Sequence, residues 1–289
     1  MNNTFKDLKY KVFQSGNPLF FYIGINVILF LVTAIIGVVV FLGRIPVDTN
    51  LWIREYVGLP ASLPKLPERF YTLFTYMFFH DGILHDGILH ILFNMLGLFW
   101  FGNIFMNFLK SRQFHFVYLA GGLFGGLFAL AVLNIFPVYA DGLAGVTIIG
   151  ASAAVMAIIF AAATLVPNYS IMLLFFGEVK IKWIAIVYFI LDFIAIGSVN
   201  AGGSLAHIGG ALLGFTFIKS LQNGRDWSKI FERKPKLKVV RNEKPVKKPE
   251  FKGGVTQQEI DAILDKISTS GYDKLTTVEK EKLFKASKD

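Results

Sequence analysis

The alternation of apolar and polar positions divides the chain into six apolar stretches, short polar turns between most of them, and a polar tail. The first stretch runs from about Leu19 to Gly43 and holds no charged residue. A hydrocarbon core about 30 Å thick takes about 20 helical residues at 1.5 Å each, so this stretch can span it. It is too long for a signal-peptide core and lacks a convincing small-residue cleavage site, which predicts a retained first span. A long polar connection follows, roughly Arg44 to Asp86, with Pro46, Pro60, Pro64 and Pro67 and the aromatic run Phe70-Tyr71-Thr72-Leu73-Phe74. This connection is expected to lie in the interface rather than to cross. Further spans are predicted at about Gly87–Leu109, Phe116–Phe136 and Leu143–Val166. Ile171–Phe176 is apolar but short, and Lys180 and Lys182 interrupt, which places the fifth span at about Trp183–Gly197 and the sixth at about Ser204–Leu221.

Composition agrees with lipid as the solvent. Hydrophobic residues make up 54% of the chain and charged residues 17%, with a mean hydropathy of +0.55; a soluble domain carries about 25% charged residues. There is no cysteine, which excludes a disulfide, a thiolate nucleophile and a zinc–cysteine site. The net charge of +9 does not indicate nucleic acid, because the basic residues crowd into the tail and the short loops, as membrane topology signals do. Lys6, Lys9 and Lys11, then Lys110 and Arg112, then Lys180 and Lys182, then Arg225 and the tail fall on one side of a six-span arrangement. That side is expected to be cytoplasmic and to hold both termini, in a bacterial cytoplasmic membrane.

Four segments are thus expected: a cytoplasmic N-terminus (1–18), an all-α membrane domain (19–221), a basic flexible linker (222–254) and a small helical C-terminal segment (255–289). In the last, Thr256-Gln-Gln-Glu259 and Thr276-Thr-Val-Glu279 read as capping boxes. Ile260, Ile263, Leu264 and Ile267 recur behind the first at helical spacing.

Three spans carry polar groups that hydrocarbon does not favour. The fourth holds Gly150-Ala-Ser152, where small neighbours permit close helix approach. A serine in such a patch ordinarily serves packing alone. The sixth holds Ala206-His207-Ile-Gly209-Gly210 and Gly214; an ionisable residue in a span is a functional hypothesis by default. The second holds His90-Ile-Leu-Phe-Asn94, whose spacing of four puts both polar side chains on one helix face. Acyl transfer needs a nucleophile, a base within reach and donors for an oxyanion. Ser152, His207, and His90 with Asn94 supply these roles on three different spans.

In these motifs the sequence resembles the rhomboid family of intramembrane serine proteases. The resemblance covers about residues 19–221 and rests on His90-x-x-x-Asn94, Gly150-x-Ser152 and Ala206-His207-x-x-Gly210-x-x-x-Gly214 in that order. It implies a polytopic six-transmembrane-helix bundle, a Ser–His dyad without a carboxylate, and a wet cavity opening away from the cytoplasm. It makes Ser152 the nucleophile and His207 the general base, with His90, Asn94 and the Ser152 backbone N–H on the oxyanion. Gly150, Gly210 and Gly214 pack around the site. The partners implied are membrane-protein substrates and the bilayer; no cofactor, metal or oligomeric state is implied.

Four positions depart from the family pattern. The glycine after the serine is Ala153, and the aromatic residue that stacks on the histidine, four positions after the serine, is Met156. The first-loop Trp-Arg pair is absent, with Phe70-Tyr71 or Tyr71-Thr72 in its place. His80-Asp-Gly-Ile-Leu-His85-Asp-Gly-Ile-Leu-His90 is a tandem pentapeptide where one copy suffices, and the extra copy is expected to loop out before the span. A metal held by His80, His85 and His90 is disfavoured, since a spacing of five suits no single helix face. Two rival functions stand beside the protease: a pseudoprotease that binds membrane clients uncut, and a proton-linked transporter using His207, Asp192 and Asn94. Asp192, inside the fifth span, has no role in the protease reading.

Overall fold

The computed structural model describes residues 2–82, 87–173, 176–198, 200–231 and 255–287. They fall into two compact units, Met1–Glu232 and Arg233–Asp289.

The first unit begins with helix α1 (Asn2–Phe13) and α2 (Pro18–Leu42). Asn17 starts α2 by accepting the Leu19 backbone N–H, with Pro18 in the first turn where its missing donor costs nothing. The long connection then folds as α3 (Thr49–Tyr56), strand β1 (Leu59–Pro60) and the single turn α4 (Thr72–Thr75). After it come α5 (Gly87–Phe108), α6 (Ser111–Ile135), β2 (Thr147–Ile148) and α7 (Ser152–Leu165). A hairpin of β3 (Ser170–Leu173) and β4 (Gly177–Lys180) leads into α8 (Ile181–Ala195) and α9 (Ala201–Gln222). Among the described residues, α2, α5, α6 and α9 are long and apolar enough to cross a membrane.

Helix α7 is the core of this unit. Every residue from Ala153 to Ile159 is buried, on all sides of the helix. Its neighbours reach it through glycine. A Cβ built on Gly210 would lie 2.0 Å from the Ala153 carbonyl oxygen, and one on Gly214 would lie 2.1 Å from that of Ala157. The equal step of four residues on both helices makes α7 and α9 parallel and backbone-close. On α6, Gly121 faces Ala157 and Gly125 faces Ala153 and Ala206, so that helix runs the other way. Without an aqueous drive to associate, such small-residue contacts give membrane helices their van der Waals attraction.

One apolar stretch is not α-helical where the hydropathy pattern predicts part of a span. The fourth was expected from Leu143, but α7 begins at Ser152. The β-branched run Val146–Ile149 is extended instead and pairs antiparallel with β1, Leu59 opposite Ile148 and Pro60 opposite Thr147. Gly150, at φ +124°, then ends the extended run. Backbone bonds from Ala61 N to Val146 O (3.0 Å) and from Gly150 N to Tyr76 O (3.0 Å) satisfy this non-helical segment, as burial demands. The short apolar stretch after Tyr169, which the sequence leaves outside the spans, lies at the β3–β4 hairpin.

The first loop is held by ion pairs in place of the missing Trp-Arg pair. Arg54 donates two bonds to Asp81, at 2.8 and 2.9 Å. Arg69 pairs with the Glu55 carboxylate at 2.5 Å and donates to its carbonyl at 2.6 Å. Leu51, Trp52, Phe70 and Phe74 remain exposed. Asn26 of α2 donates to the Tyr22 carbonyl (2.8 Å) and to the Tyr118 hydroxyl (3.1 Å), while Tyr22 stacks on Tyr118. At the other end, residues 223–231, expected to begin the linker, stay on the bundle. Asp226 there accepts from Arg112 and Gln113 at 3.1 Å, and Ser228 is buried. The remainder of the expected linker lies outside the described residues.

The second unit contains α10 (Gln257–Ser270) and α11 (Thr277–Ala286). Each opens on the capping box read from the sequence, at Thr256 and Thr276. Each cap glutamate also pairs with the other helix: Glu259 with Lys282 at 2.7 Å and Glu279 with Lys266 at 2.8 Å. Val255, Ile260, Ile263 and Leu275 form the small buried side.

Candidate active site

Ser152 is the first residue of α7. The residue before it, Ala151, makes no side-chain cap, so the N–H groups of the first turn have no partner inside the helix. These donors and the positive end of the helix dipole meet at Ser152, an arrangement suited to developing negative charge. The sharp turn at Gly150 leads the chain out of β2 and into α7 at this point.

His207 lies one turn before Gly210, on the face of α9 that meets α7. The parallel register carried by Gly210 and Gly214 therefore brings it beside the start of α7, where Ser152 stands. Both residues line one cavity of about 760 Å³, together with His90, Asn94, Met156 and Asp192. His90, on α5, packs against Gly150: a Cβ there would sit 2.7 Å from the ring's Nε2 and 3.7 Å from the Ser152 hydroxyl oxygen. Imidazole and hydroxyl thus flank one glycine. Asn94 spends one amide hydrogen on the His90 carbonyl, at 2.9 Å, and retains a second donor. All seven residues singled out in the sequence are thus placed around one cavity or at the helix contact beneath it.

Three further groups belong to this region. Asp192 of α8 holds the His207 ring, with Oδ1 2.8 Å from Nδ1. The Arg54–Asp81 pair forms part of the cavity rim. His80 is 1% exposed and sets its ring edge-on to His90 at 5.1 Å. The sequence signal for Asp192 was a carboxylate inside a span. The other two could not be placed, because the tandem repeat leaves open which histidine meets His90. The expected looping-out of the extra copy falls on residues 83–86, outside the described residues. Among the described residues no cluster of three or more His, Asp or Glu is placed to hold a metal ion.

Comparison with known families gives two matches. A family of unknown function (DUF6576) matches residues 255–289, which hold α10 and α11. A search of curated proteins finds no match. The rhomboid domain family matches residues 67–222. That match covers more than half of the 289 residues, and it takes in α4 to α9 with the serine, both histidines and the asparagine of the cavity. By this match, and with four apolar helices of membrane-crossing length, the chain is an integral membrane protein that belongs to the rhomboid family.

Proposed function

We propose that this protein is an intramembrane serine endopeptidase that cuts transmembrane segments of other membrane proteins. The observation that carries the reading is that Ser152, at the N-terminus of α7, and His207 line one cavity. Family membership supports it, since rhomboid proteins are in general serine intramembrane proteases.

The chemistry is acyl transfer. A substrate helix with small or helix-breaking residues partly unwinds beside the protein and offers its scissile carbonyl to the cavity. The Ser152 hydroxyl oxygen bonds to the carbonyl carbon while its proton passes to His207. The oxyanion is met by the Ser152 backbone N–H, Asn94 and His90. Collapse breaks the C–N bond, and His207 returns the proton to the leaving amine. Water then attacks the acyl-enzyme, gives its proton to His207, and releases the new carboxyl end with Ser152 reprotonated. The reaction calls on no cofactor.

The six-span count belongs to this reading. Helix α7 has 14 residues, about 21 Å at 1.5 Å each, which is short of a hydrocarbon core of about 30 Å. The extended run before it completes the fourth crossing, as irregular backbone can where it is buried in protein or lines a wet cavity. Helix α8 supplies the fifth. The loop charges then put both termini in the cytoplasm of a bacterial cell, and the cavity opens to the opposite side.

The test is cleavage of a single-span reporter in liposomes by the wild type, Ser152→Ala and His207→Ala, each checked for folding. Cleavage by wild type alone supports the reading. Cleavage by all three rejects the dyad. If no protein cuts and a fluorophosphonate probe leaves Ser152 unlabelled, the client-binding pseudoprotease replaces the protease.

A further inference from the structure

The geometry points to a third member of the catalytic group: Asp192 acts as a positioning residue that fixes the tautomer and orientation of His207, so that the site works as a Ser–His–Asp triad. This rests on the protease reading above and departs from the carboxylate-free dyad that the family resemblance implies.

A general base must present the unprotonated ring nitrogen to the hydroxyl. In a neutral imidazole one nitrogen carries hydrogen and the other accepts, and the partner of one decides the state of the other. Asp192 Oδ1 lies 2.8 Å from His207 Nδ1. With a carboxylate as its partner, Nδ1 is the donor. Nε2 is then the acceptor, and it is the nitrogen left to take the Ser152 proton. When that proton arrives, the same carboxylate faces the imidazolium. Both side chains are largely but not wholly buried, 23% exposed for His207 and 13% for Asp192, and both line the cavity.

Among the described residues, this is the side-chain hydrogen bond that anchors the ring. An aromatic ring four residues after the serine would hold the histidine by stacking; Met156 stands there and has no ring. Gly209 and Gly210 beside His207 have no side chains to brace it. From the other elements around the ring, α5 presents His90, α7 presents Ser152, α8 presents Asp192, and the loop rim presents Arg54 with Asp81. Of these, Asp192 makes the hydrogen bond to the ring. A carboxylate inside a membrane helix is costly and marks a functional position by default, so a bare packing role is an expensive use of Asp192.

The experiment uses the full chain in liposomes with Asp192→Asn, Asp192→Glu and Ser152→Ala, and reads kcat, KM, the rate of fluorophosphonate labelling and thermal unfolding. A soluble triad loses about 10⁴-fold in kcat when its aspartate becomes asparagine. For Asp192→Asn the expected result is a kcat at least ~100-fold lower with KM and melting little changed, a parallel loss of labelling rate, and partial recovery in Asp192→Glu. Nitrogen-15 NMR of histidine-labelled wild type, with His207→Ala to assign the signal, should show Nδ1 protonated. Asp192→Asn within about two-fold of wild type in kcat and labelling overturns the inference, since loss of the aspartate in a triad costs far more. Should Asp192→Asn not fold, the wild-type spectrum decides, and Nε2 protonation overturns it. Cleavage by Ser152→Ala would instead remove the protease reading beneath it.

Discussion

Replacing Gly210 by alanine adds one methyl group at the point where α9 lies against α7, and the structure sets the size of the effect. The new Cβ would stand 2.0 Å from the Ala153 carbonyl oxygen, 2.9 Å from its carbon and 3.3 Å from its Cα. These are backbone atoms of the residue next to Ser152, so no side-chain rotation relieves the contact. Ordinary contact begins at 3.4 Å, which requires the helices to part by about 1.4 Å, and a misplacement of about 1 Å can cost ~100-fold in rate. Overpacking of this kind destabilises by about 1–3 kcal/mol. Because the parting falls between the helix that bears Ser152 and the helix that bears His207, it should appear in kcat more than in KM. The assay is reporter cleavage with fluorophosphonate labelling and thermal unfolding in the same detergent. Gly197→Ala is the control, since a Cβ there meets nothing within 4 Å. If Gly210→Ala cuts within about two-fold of wild type and melts with it, the reaction does not depend on this helix contact as the positioning argument requires.

Gly150→Ala should be more damaging than its size suggests, because φ +124° disfavours any side chain and the methyl would lie 2.7 Å from the His90 ring. Strain of about 1–3 kcal/mol with a displaced His90 predicts a lower melting temperature and cleavage reduced by more than ~10-fold, with Gly145→Ala as an unstrained control. The C-terminal helix pair should open in acid. Hydrogen bonds from Lys282 to Glu259 and from Lys266 to Glu279 lower both carboxyls from 4.5 to about 2. Depressed values of this kind add stability that is complete above the unfolded value and lost as pH falls towards the folded one. Methyl NMR of Ile260 and Ile263 in the full chain should therefore show loosening of the pair as pH falls from about 4.5 to 2, and a smaller pH response in a Lys266→Met, Lys282→Met double variant, which lacks the bonds that depress the carboxyls.

Hydropathy located α2, α5, α6 and α9 to within a few residues at most ends, because in a membrane protein an apolar run records both the length of the helix and its surroundings. The same property did not separate Leu143–Ile149, a 3-10 turn and an extended run, from the α-helix that follows. An apolar extended segment and an apolar helix score alike, and only the β-branched run and the glycine at 150 hint that α7 starts late. Asn26 with Tyr118 and Asp192 with His207 are tertiary pairs that no local pattern contains. Of these residues, Asp192 left a trace in the sequence, as a charge with no assigned partner in a span. Local chemistry did predict the starts of α10 and α11, since a capping box is complete within four residues. The cavity was legible in outline because its residue types are few and costly in hydrocarbon. Its rim, built from Arg54 and Asp81 across a long loop, was not.

The close of the first loop bears on how this chain can vary in length. The Gly87 N–H bonds to the Gly82 carbonyl at 3.3 Å, so two positions one pentapeptide apart are held next to each other. Removal of a single copy of the repeat would leave His80-Asp81-Gly82 followed directly by Ile88, with His80 and the cavity-lining His90 both kept. A loop whose ends are already adjacent can change length at a small entropic cost, about 0.6 kcal/mol for each doubling. Between Gly82 and Gly87, whole-copy changes in length are therefore expected to be tolerated, and thermal unfolding of a variant with one copy deleted would check it.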